Sequence, residues 1–197
     1  KEAVGVSTIH ATEEEFLARA IGAWKSEPQI ELLGNLESKR LSILSFVLRA
    51  PSGKLLHHNF IVALLNDLFG IQSRGGCSCA GPYGHRLLGI DDAKSHEIEE
   101  EIAGGCEGIK PGWVRINFNY FLSQVVADYL ISSVLFVARQ GHLFLSDYSF
   151  DPETGIWRHR NGPVEPALRL REISYGEDGR MHYPAHDSRA PESALAD

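Results

Sequence analysis

The first fifty residues alternate between two spacings of apolar positions. Behind a Thr12–Glu15 capping box, apolar residues recur at helical spacing on one face, and they predict a helix that Pro28 ends. Apolar runs in residues 29–34 and 40–50 instead predict two strands. The second run is nearly continuous, which is typical of a strand at the centre of a sheet.

The pattern continues with helices and strands in turn. It predicts a helix, a short strand, a short acidic helix, a strand and a long helix, over residues 59–70, 71–76, 93–103, 112–120 and 121–141. Gly70 is the expected C-cap of the first of these helices. The order αββαβ(α)βα favours an α/β fold, specifically a two-layer α+β sandwich in which helices cover a small mixed sheet.

The composition of the chain changes after Gly141. Aromatic residues alternate around turn residues in 142–160 and again in 168–183, and both segments predict β-hairpins. Residues 184–197 form a polar tail. We therefore divide the chain into a domain of residues 1–140 and a β-rich C-terminal extension of residues 141–197.

Charge and composition exclude some classes of partner and location for this protein. The 197 residues are 43% hydrophobic and 23% charged, as in globular proteins, and the net charge of −7 argues against nucleic acid as a partner. The longest apolar run, residues 125–138, contains Asp128 and two serines and does not predict a membrane span. The chain begins with Lys1, has no signal-peptide pattern and has three cysteines, so we expect part of a longer cytoplasmic protein.

Two of the three cysteines lie in one glycine-rich loop, "SRGGCSCAGPYGH" (residues 73–85). Cys77 and Cys79 are too close in sequence for an easy mutual disulfide. Packing is a poor explanation because a loop this rich in glycine offers little to bury a thiol, although packing suits Cys106. A zinc site could combine Cys77, Cys79, Cys106 and His85, but Cys-x-Cys is not the usual zinc spacing.

A reactive thiol explains more of this loop than a disulfide, packing or a zinc site does. A free cysteine has a pKa of about 8.5, and a nearby cation such as Arg74 or His85 would favour the thiolate, which is the nucleophile. Glycines on both sides would allow the loop to move and a ligand to approach the backbone closely.

The loop also carries a family resemblance. Arginine, a small residue and glycine, two further positions, Cys-Ala and then proline occur here as Arg74, Gly76, Cys79, Ala80 and Pro82. With the preceding strand and helix, this pattern resembles the C-terminal small domain of class V aminotransferase-like enzymes, which are fold-type I pyridoxal-phosphate proteins. Cysteine desulfurases and selenocysteine lyases are the nearest members. The resemblance covers roughly residues 9 to 138.

The resemblance and the positions of the residues around the loop together suggest roles for five residues. Cys79 stands at the position of the thiolate that takes sulfur from the substrate as a persulfide, and Cys77 is a possible relay thiol. Arg115 matches the arginine that binds the substrate carboxylate, for which a planar guanidinium is suited. Arg74 could bind the substrate, support the loop or pair with an acid, and His85, six residues after Cys79, is close enough to the loop to act as a general acid or base.

The resemblance also implies a missing part. In this family a lysine that follows a histidine holds pyridoxal phosphate on a large domain, and no lysine in this chain follows a histidine: Lys1, Lys25, Lys39, Lys54, Lys94 and Lys110. The expected partners are therefore the protein's own large domain, which holds the cofactor, a second copy in a homodimer, a small amino-acid substrate and a sulfur-acceptor protein.

Three different functions stay open from the sequence. The protein could perform other class V chemistry with a structural thiol loop, or it could be a stand-alone sulfur-carrier or binding module, or a zinc module. Outside the loop, His57 and His58 precede a helix, so we expect surface or capping residues. The acidic residues around 91–101 are expected to form a solvated helix face.

Overall fold

A computed structural model of the chain describes residues 2–76, 81–162, 169–183 and 191–195. Five α-helices are formed in this part: α1 Val6–Lys25, α2 His58–Phe69, α3 Gly81–Leu88, α4 Asp92–Ala103 and α5 Gln124–Gln140. The strands are β1 Ile30–Leu32, β2 Ile43–Leu48, β3 Arg74–Gly76, β4 Trp113–Asn117, β5 Tyr148–Asp151, β6 Ile156–His159, β7 Ser174–Tyr175 and β8 Met181–His182. Short 3-10 helices cover Glu107–Ile109, Gly141–Asp147, Leu170–Glu172 and Glu192–Leu195.

The main sheet has four strands in the order β1-β2-β4-β3. The α/β class with helices against a small sheet is confirmed, but the expected mixed pairing is wrong, because the three ladders in this sheet are all antiparallel. The helical connection from β2 to β3 does make these two strands parallel to each other. However, β4 lies between them and pairs with both, so the parallel strands are not neighbours.

One face of the sheet carries the main hydrophobic core. Helices α1, α2 and α5 cover this face, where Trp24, Phe46 and Phe118 are fully buried. The Trp24 ring lies 5.3 Å from Phe46 and 6.1 Å from Phe118, centroid to centroid. Its indole N–H donates to the carbonyl of Ile131 in α5 at 3.2 Å, so the largest buried side chain also satisfies its polar atom.

Ion pairs join α1 and the segment after it to α5. Arg19 donates to Gln124 and Asp128, near the start of α5. At the other end Arg139 donates to the carboxylate of Glu27 at 2.6 Å. Glu27 is buried, with 7% of its side chain exposed, whereas the Arg139 side chain is 57% exposed. Arg139 is thus the ion-pair partner of a buried carboxylate.

The sequence predicts some of the helix ends correctly and others wrongly. The left-handed C-cap predicted at Gly70 is present, with φ +65°. The predicted start of α1 at the Thr12 capping box is wrong, because the helix already begins at Val6 after Gly5. Helix α3 was not predicted, since "GPYGH" was expected to be a turn; Pro82 instead lies in its first turn, where a missing N–H costs little.

Residues after Gly141 also contribute to the main core. Both predicted hairpins are formed, with Phe150 opposite Trp157 in β5–β6 and Tyr175 opposite Met181 in β7–β8. Tyr148 is only 3% exposed and belongs to the main core cluster, and the rings of Trp157 and Phe60 lie 4.8 Å apart.

Among the described residues, no helix is both long and apolar enough to cross a membrane.

Candidate functional site

The two arginines predicted to act at the site face each other in one antiparallel ladder. Arg74 of β3 and Arg115 of β4 are directly opposite in register, and Ser45 of β2 lies on the other side of Arg115. Val114 and Ile116, which flank Arg115 in β4, point into the main core. Side chains alternate along a strand, so both arginines lie on the opposite, outer face of the sheet.

The outer face forms a groove with helix α3. This arginine groove has a volume of about 490 Å³, which lies within the range of small-molecule sites, about 300–1,000 Å³. Its polar lining comprises Asn35, Ser38, Arg40, Ser45, Tyr83 and Arg115. Its apolar lining includes Leu33, Leu87 and Trp113. Tyr83 and Leu87 are one helical turn apart, which places this face of α3 over the groove.

The charge in the arginine groove has one sign. Two guanidinium groups line it, and none of its described lining residues is an aspartate or a glutamate. Arg40 donates to the backbone carbonyl of Asn35, while its Nε is buried and has no hydrogen-bond partner among the described residues. Two cations beside an apolar wall attract an anion, and a carboxylate can accept two parallel bonds from one guanidinium.

Strand β3 is seated tightly on helix α2. A Cβ at Gly75 would lie 2.9 Å from Asn59 Oδ1, 3.1 Å from a methyl of Val62 and 3.2 Å from the His58 ring. A Cβ at Gly112, in the neighbouring chain segment, would lie 2.8 Å from both the Gly76 backbone and the His58 ring. Gly75 therefore provides close packing of β3 against α2.

His57 caps helix α2, as expected. Its Nδ1 accepts from the Asn59 backbone N–H at 3.2 Å, and its Nε2 lies 2.9 Å from the Gly108 carbonyl. Because a backbone N–H can only donate and a carbonyl can only accept, the ring is neutral with its proton on Nε2. Burial lowers the pKa of His57, and the bond to Gly108 opposes this shift in part.

His58 is not the surface residue that we expected. It is 9% exposed and lies beneath β3, with its ring stacked on His57 at a centroid distance of 4.4 Å. Burial, and to a smaller extent repulsion from His57 when that ring is protonated, lowers the pKa of His58 to about 4. The histidine pair is therefore an uncharged support under the strand that leads to the thiol loop.

The structure describes only some of the other predicted site residues, and those that it describes do not line the arginine groove. Cys77 and Cys79 lie outside the described residues. His85 is half-buried on α3, but it is not among the residues that line the arginine groove. Cys106 is a half-buried free thiol. Within the described ranges, no three His, Cys, Asp or Glu side chains form a group that could hold a metal ion.

Comparisons with known proteins bear on the fold. No family model matches the chain, and no curated protein matches it. A solved structure that does match is the apo form of a cysteine desulfurase from Thermococcus onnurineus NA1, with 21% identity and a TM-score of 0.50. The match covers 70% of this chain and 28% of that chain. This likeness shows the fold. The chain spans less than a third of the enzyme it resembles.

Pyridoxal phosphate would need a lysine to hold its aldehyde, and the described lysines do not fit that task. Lys25, Lys39, Lys54, Lys94 and Lys110 are all exposed. Lys94 and Lys110 form ion pairs with neighbouring glutamates, Glu97 and Glu107. The described residues therefore offer the cofactor no covalent attachment, and we derive no catalytic step from it in this chain.

Three groups of this site were not predicted from the sequence: Arg40, Tyr83 and the buried His58. Arg40 is the first residue of the predicted strand of residues 40–50, a position where a cation at a strand end could have been considered. Tyr83 was hidden by the prediction of a turn. His58 could have been found only from the packing of β3 on α2.

Proposed function

We propose that the chain is the C-terminal part of a pyridoxal-phosphate-dependent class V aminotransferase-like enzyme of the cysteine desulfurase type. The observation that supports this proposal is the position of Arg115. It lies on the strand next to the one that leads into the thiol loop, it lines a groove of small-molecule size, and no described carboxylate lines that groove. The fold shared with a cysteine desulfurase agrees with this proposal.

Arg115 would bind the carboxylate of the substrate amino acid. The bidentate geometry of a guanidinium would fix both the position and the orientation of the substrate. Arg74, opposite Arg115 in the ladder, would add positive charge at the same end of the site and would favour the thiolate form of a cysteine in the adjoining loop.

Cys79 would accept the sulfur. Its thiolate forms a bond to the substrate sulfur while the carbon–sulfur bond of the substrate breaks, and the carbon takes the electron pair and a proton. The products are alanine and a persulfide on Cys79, whose outer sulfur would then pass to Cys77 or to an acceptor protein and regenerate the Cys79 thiol. His85 is the proposed proton donor.

The rest of the enzyme is part of the same proposal. A large domain outside this chain would carry the cofactor and its lysine, because the described lysines here are exposed. We also propose a homodimer and a cytoplasmic location, where thiols stay reduced.

Trapping of the persulfide tests this function. The full-length protein is exposed briefly to L-cysteine, its thiols are alkylated, and intact and peptide masses are measured. We expect one added sulfur on the peptide that contains Cys79, lost in Cys79→Ala and retained in Cys77→Ala. Bound pyridoxal phosphate without added sulfur on either cysteine would contradict the desulfurase function. It would indicate another class V reaction with a structural thiol loop.

A further inference from the structure

We propose that a second groove, between strands β3 and β6, binds an extended and uncharged polypeptide segment of a partner protein. The segment would add to the open edges of the two strands. We assign it to the protein that accepts sulfur from Cys79, so this assignment rests on the proposed function. The groove itself, which we call the strand groove, is separate from the arginine groove.

Helix α2 forms the floor of the strand groove, whose volume is about 660 Å³. The floor residues recur at helical spacing and share one face of α2: Asn59, Val62, Ala63, Asn66 and Asp67. One wall is the segment before β3, with Gln72 and Ser73, and the other wall is β6. From Asn59 to Asp67 the helix rises about 12 Å, which is the length of about four residues in an extended strand.

The two walls belong to open strand edges that lie close together. In the described part of the chain, β3 is the outermost strand of the main sheet and β6 is one of the two strands of its hairpin. Asn59 connects them, because its Nδ2 donates to the Gly155 carbonyl at 2.8 Å and its Oδ1 lies 2.9 Å from a Cβ placed on Gly75. The Trp157 ring lies 4.8 Å from Phe60, the next residue of α2. A space that one side chain spans is too narrow for a helix of about 10–12 Å diameter, and it favours an extended chain.

Two buried polar atoms of the strand groove require a ligand with hydrogen-bonding groups. Trp157 Nε1 and Ser73 Oγ are buried, and neither has a hydrogen-bond partner among the described residues. They belong to opposite walls of the groove. An indole N–H can only donate, so it needs an acceptor such as a peptide carbonyl, whereas the serine hydroxyl can bond to either group of a peptide. A strand that enters between the walls would satisfy both atoms.

The charges in the strand groove favour a ligand without net charge. With histidine neutral, Asp67 and Arg158 leave the described lining with no net charge. The Asp67 carboxylate already accepts from the Tyr148 hydroxyl at 2.8 Å and from the Asn66 amide at 2.9 Å. The other polar lining includes the amide of Gln72. Amide groups and balanced charges are complementary to a peptide backbone, and strand addition is a common way to bind one.

The position of the strand groove identifies the partner. Ser73 is six residues before Cys79, and a segment paired with β3 would end near Gly76, where the thiol loop begins. A sulfur acceptor must bring its own thiolate to the outer sulfur of the Cys79 persulfide. A new sulfur–sulfur bond then forms on the acceptor, the bond to Cys79 breaks, and Cys79 leaves as a thiolate that takes up the proton. The transfer consumes no oxidant or reductant.

A synthetic peptide and its N-methylated form test the mode of binding. The probe is acetyl-Ser-Val-Ser-Val-Ser-Cys-amide under reducing conditions, and the control carries N-methyl groups on both valines, which removes backbone donors and keeps the side chains. Binding to the 197-residue chain at pH 7 is followed by the indole N–H signal of Trp157 in proton–nitrogen correlation spectra. Trp157→Phe identifies this signal. We expect a saturable shift for Trp157, no shift for Trp24, which bonds to Ile131, and about 10-fold weaker binding of the control peptide.

Two serine variants locate the bound peptide. Ser73→Ala should weaken its binding by about 2- to 10-fold, as for the loss of one hydrogen bond. Ser132→Ala, on α5 and outside the strand groove, should leave the affinity unchanged. The proposal is overturned if the Trp157 signal does not respond, if the N-methylated peptide binds as tightly, or if Ser73→Ala binds like the native chain. The Trp24 signal shows that each variant keeps its core.

Sulfur transfer in the full-length protein tests the assignment to the acceptor. After brief exposure to L-cysteine and its removal, the mass of the added peptide is followed over time. We expect the peptide to gain one sulfur at about 10-fold lower concentration than its N-methylated form, and Ser73→Ala to reduce this difference. Equal transfer to both peptides would overturn the assignment. A protein that forms no persulfide on Cys79 would contradict the proposed function, whereas the binding of the peptide is measured without the persulfide.

Discussion

The close contact between β3 and α2 predicts a large effect from one methyl group. In Gly112→Ala the new Cβ would lie 2.8 Å from two backbone atoms of Gly76 and from the His58 ring. Backbone atoms in a paired strand cannot move aside as a side-chain end can. We therefore expect destabilisation at the upper end of the range for overpacking, about 3 kcal/mol. For a chain of this size, that corresponds to a fall in Tm of roughly 6–12 °C.

Two other glycines provide the comparison. In Gly75→Ala the nearest atoms belong to side chains, Asn59 and Val62, so we expect a smaller loss of about 1–2 kcal/mol. Gly22 is exposed within α1 and has no atom within 4 Å of its added Cβ. Gly22→Ala should therefore stabilise the chain by about 0.5–1 kcal/mol, since alanine is the better helix former.

Urea unfolding of the three variants measures these differences, with the slope of the transition compared to confirm that the same structure unfolds. The expected order of stability is Gly22→Ala above the native chain, then Gly75→Ala, then Gly112→Ala. If Gly112→Ala unfolds at the native urea concentration, β3 is not seated on α2 as described, and the support of the thiol loop needs another explanation.

Two further predictions concern charge. The neutral His58, with its pKa at about 4, lowers the stability by up to about 3 kcal/mol as the pH falls from 6.5 to 4, because the unfolded chain binds the proton first. His58→Gln should flatten this part of the pH profile of urea unfolding, and an unchanged slope would contradict the assignment. Arg139→Ala should cost about 1–3 kcal/mol by leaving the buried Glu27 unpaired, whereas Arg49→Ala, from an exposed pair with Glu31, should cost at most about 1 kcal/mol in the same assay. Equal losses would show that burial of Glu27 does not matter.

Short-range features of the fold could be predicted from the sequence. The spacing of apolar residues indicated the main helices, and Gly70 marked the end of α2, because both depend on residues within a few positions. The Thr12 capping box led to a wrong start for α1, because no residue near Thr12 indicates that the helix begins six residues earlier, at Val6. The order of strands depends on which distant segments pair, so the insertion of β4 between β2 and β3 was not predicted.

The candidate site likewise combines residues that the sequence identifies with positions that depend on distant contacts. Arg74 and Arg115 were selected from a family pattern, and only the register of β3 and β4 shows that they are opposite each other. Arg40 and Tyr83 reach the groove through the loop before β2 and through α3, two segments whose positions depend on the whole sheet. The burial of His58 likewise depends on Gly75 and Gly112, which lie far from it in the sequence.

The hydrogen bonds at the start of α2 have a consequence for the order of events during synthesis. His57 bonds to Gly108, and Asn59 donates to the carbonyl of Gly155 at 2.8 Å, 96 positions further along the chain. A nascent chain that ends before Gly155 therefore leaves Asn59 without its partner and Phe60 without its contact to Trp157. Contacts of such separation form late and slow folding. The hydrogen bonds at the start of α2, beneath β3, are thus completed only after the hairpin has left the ribosome.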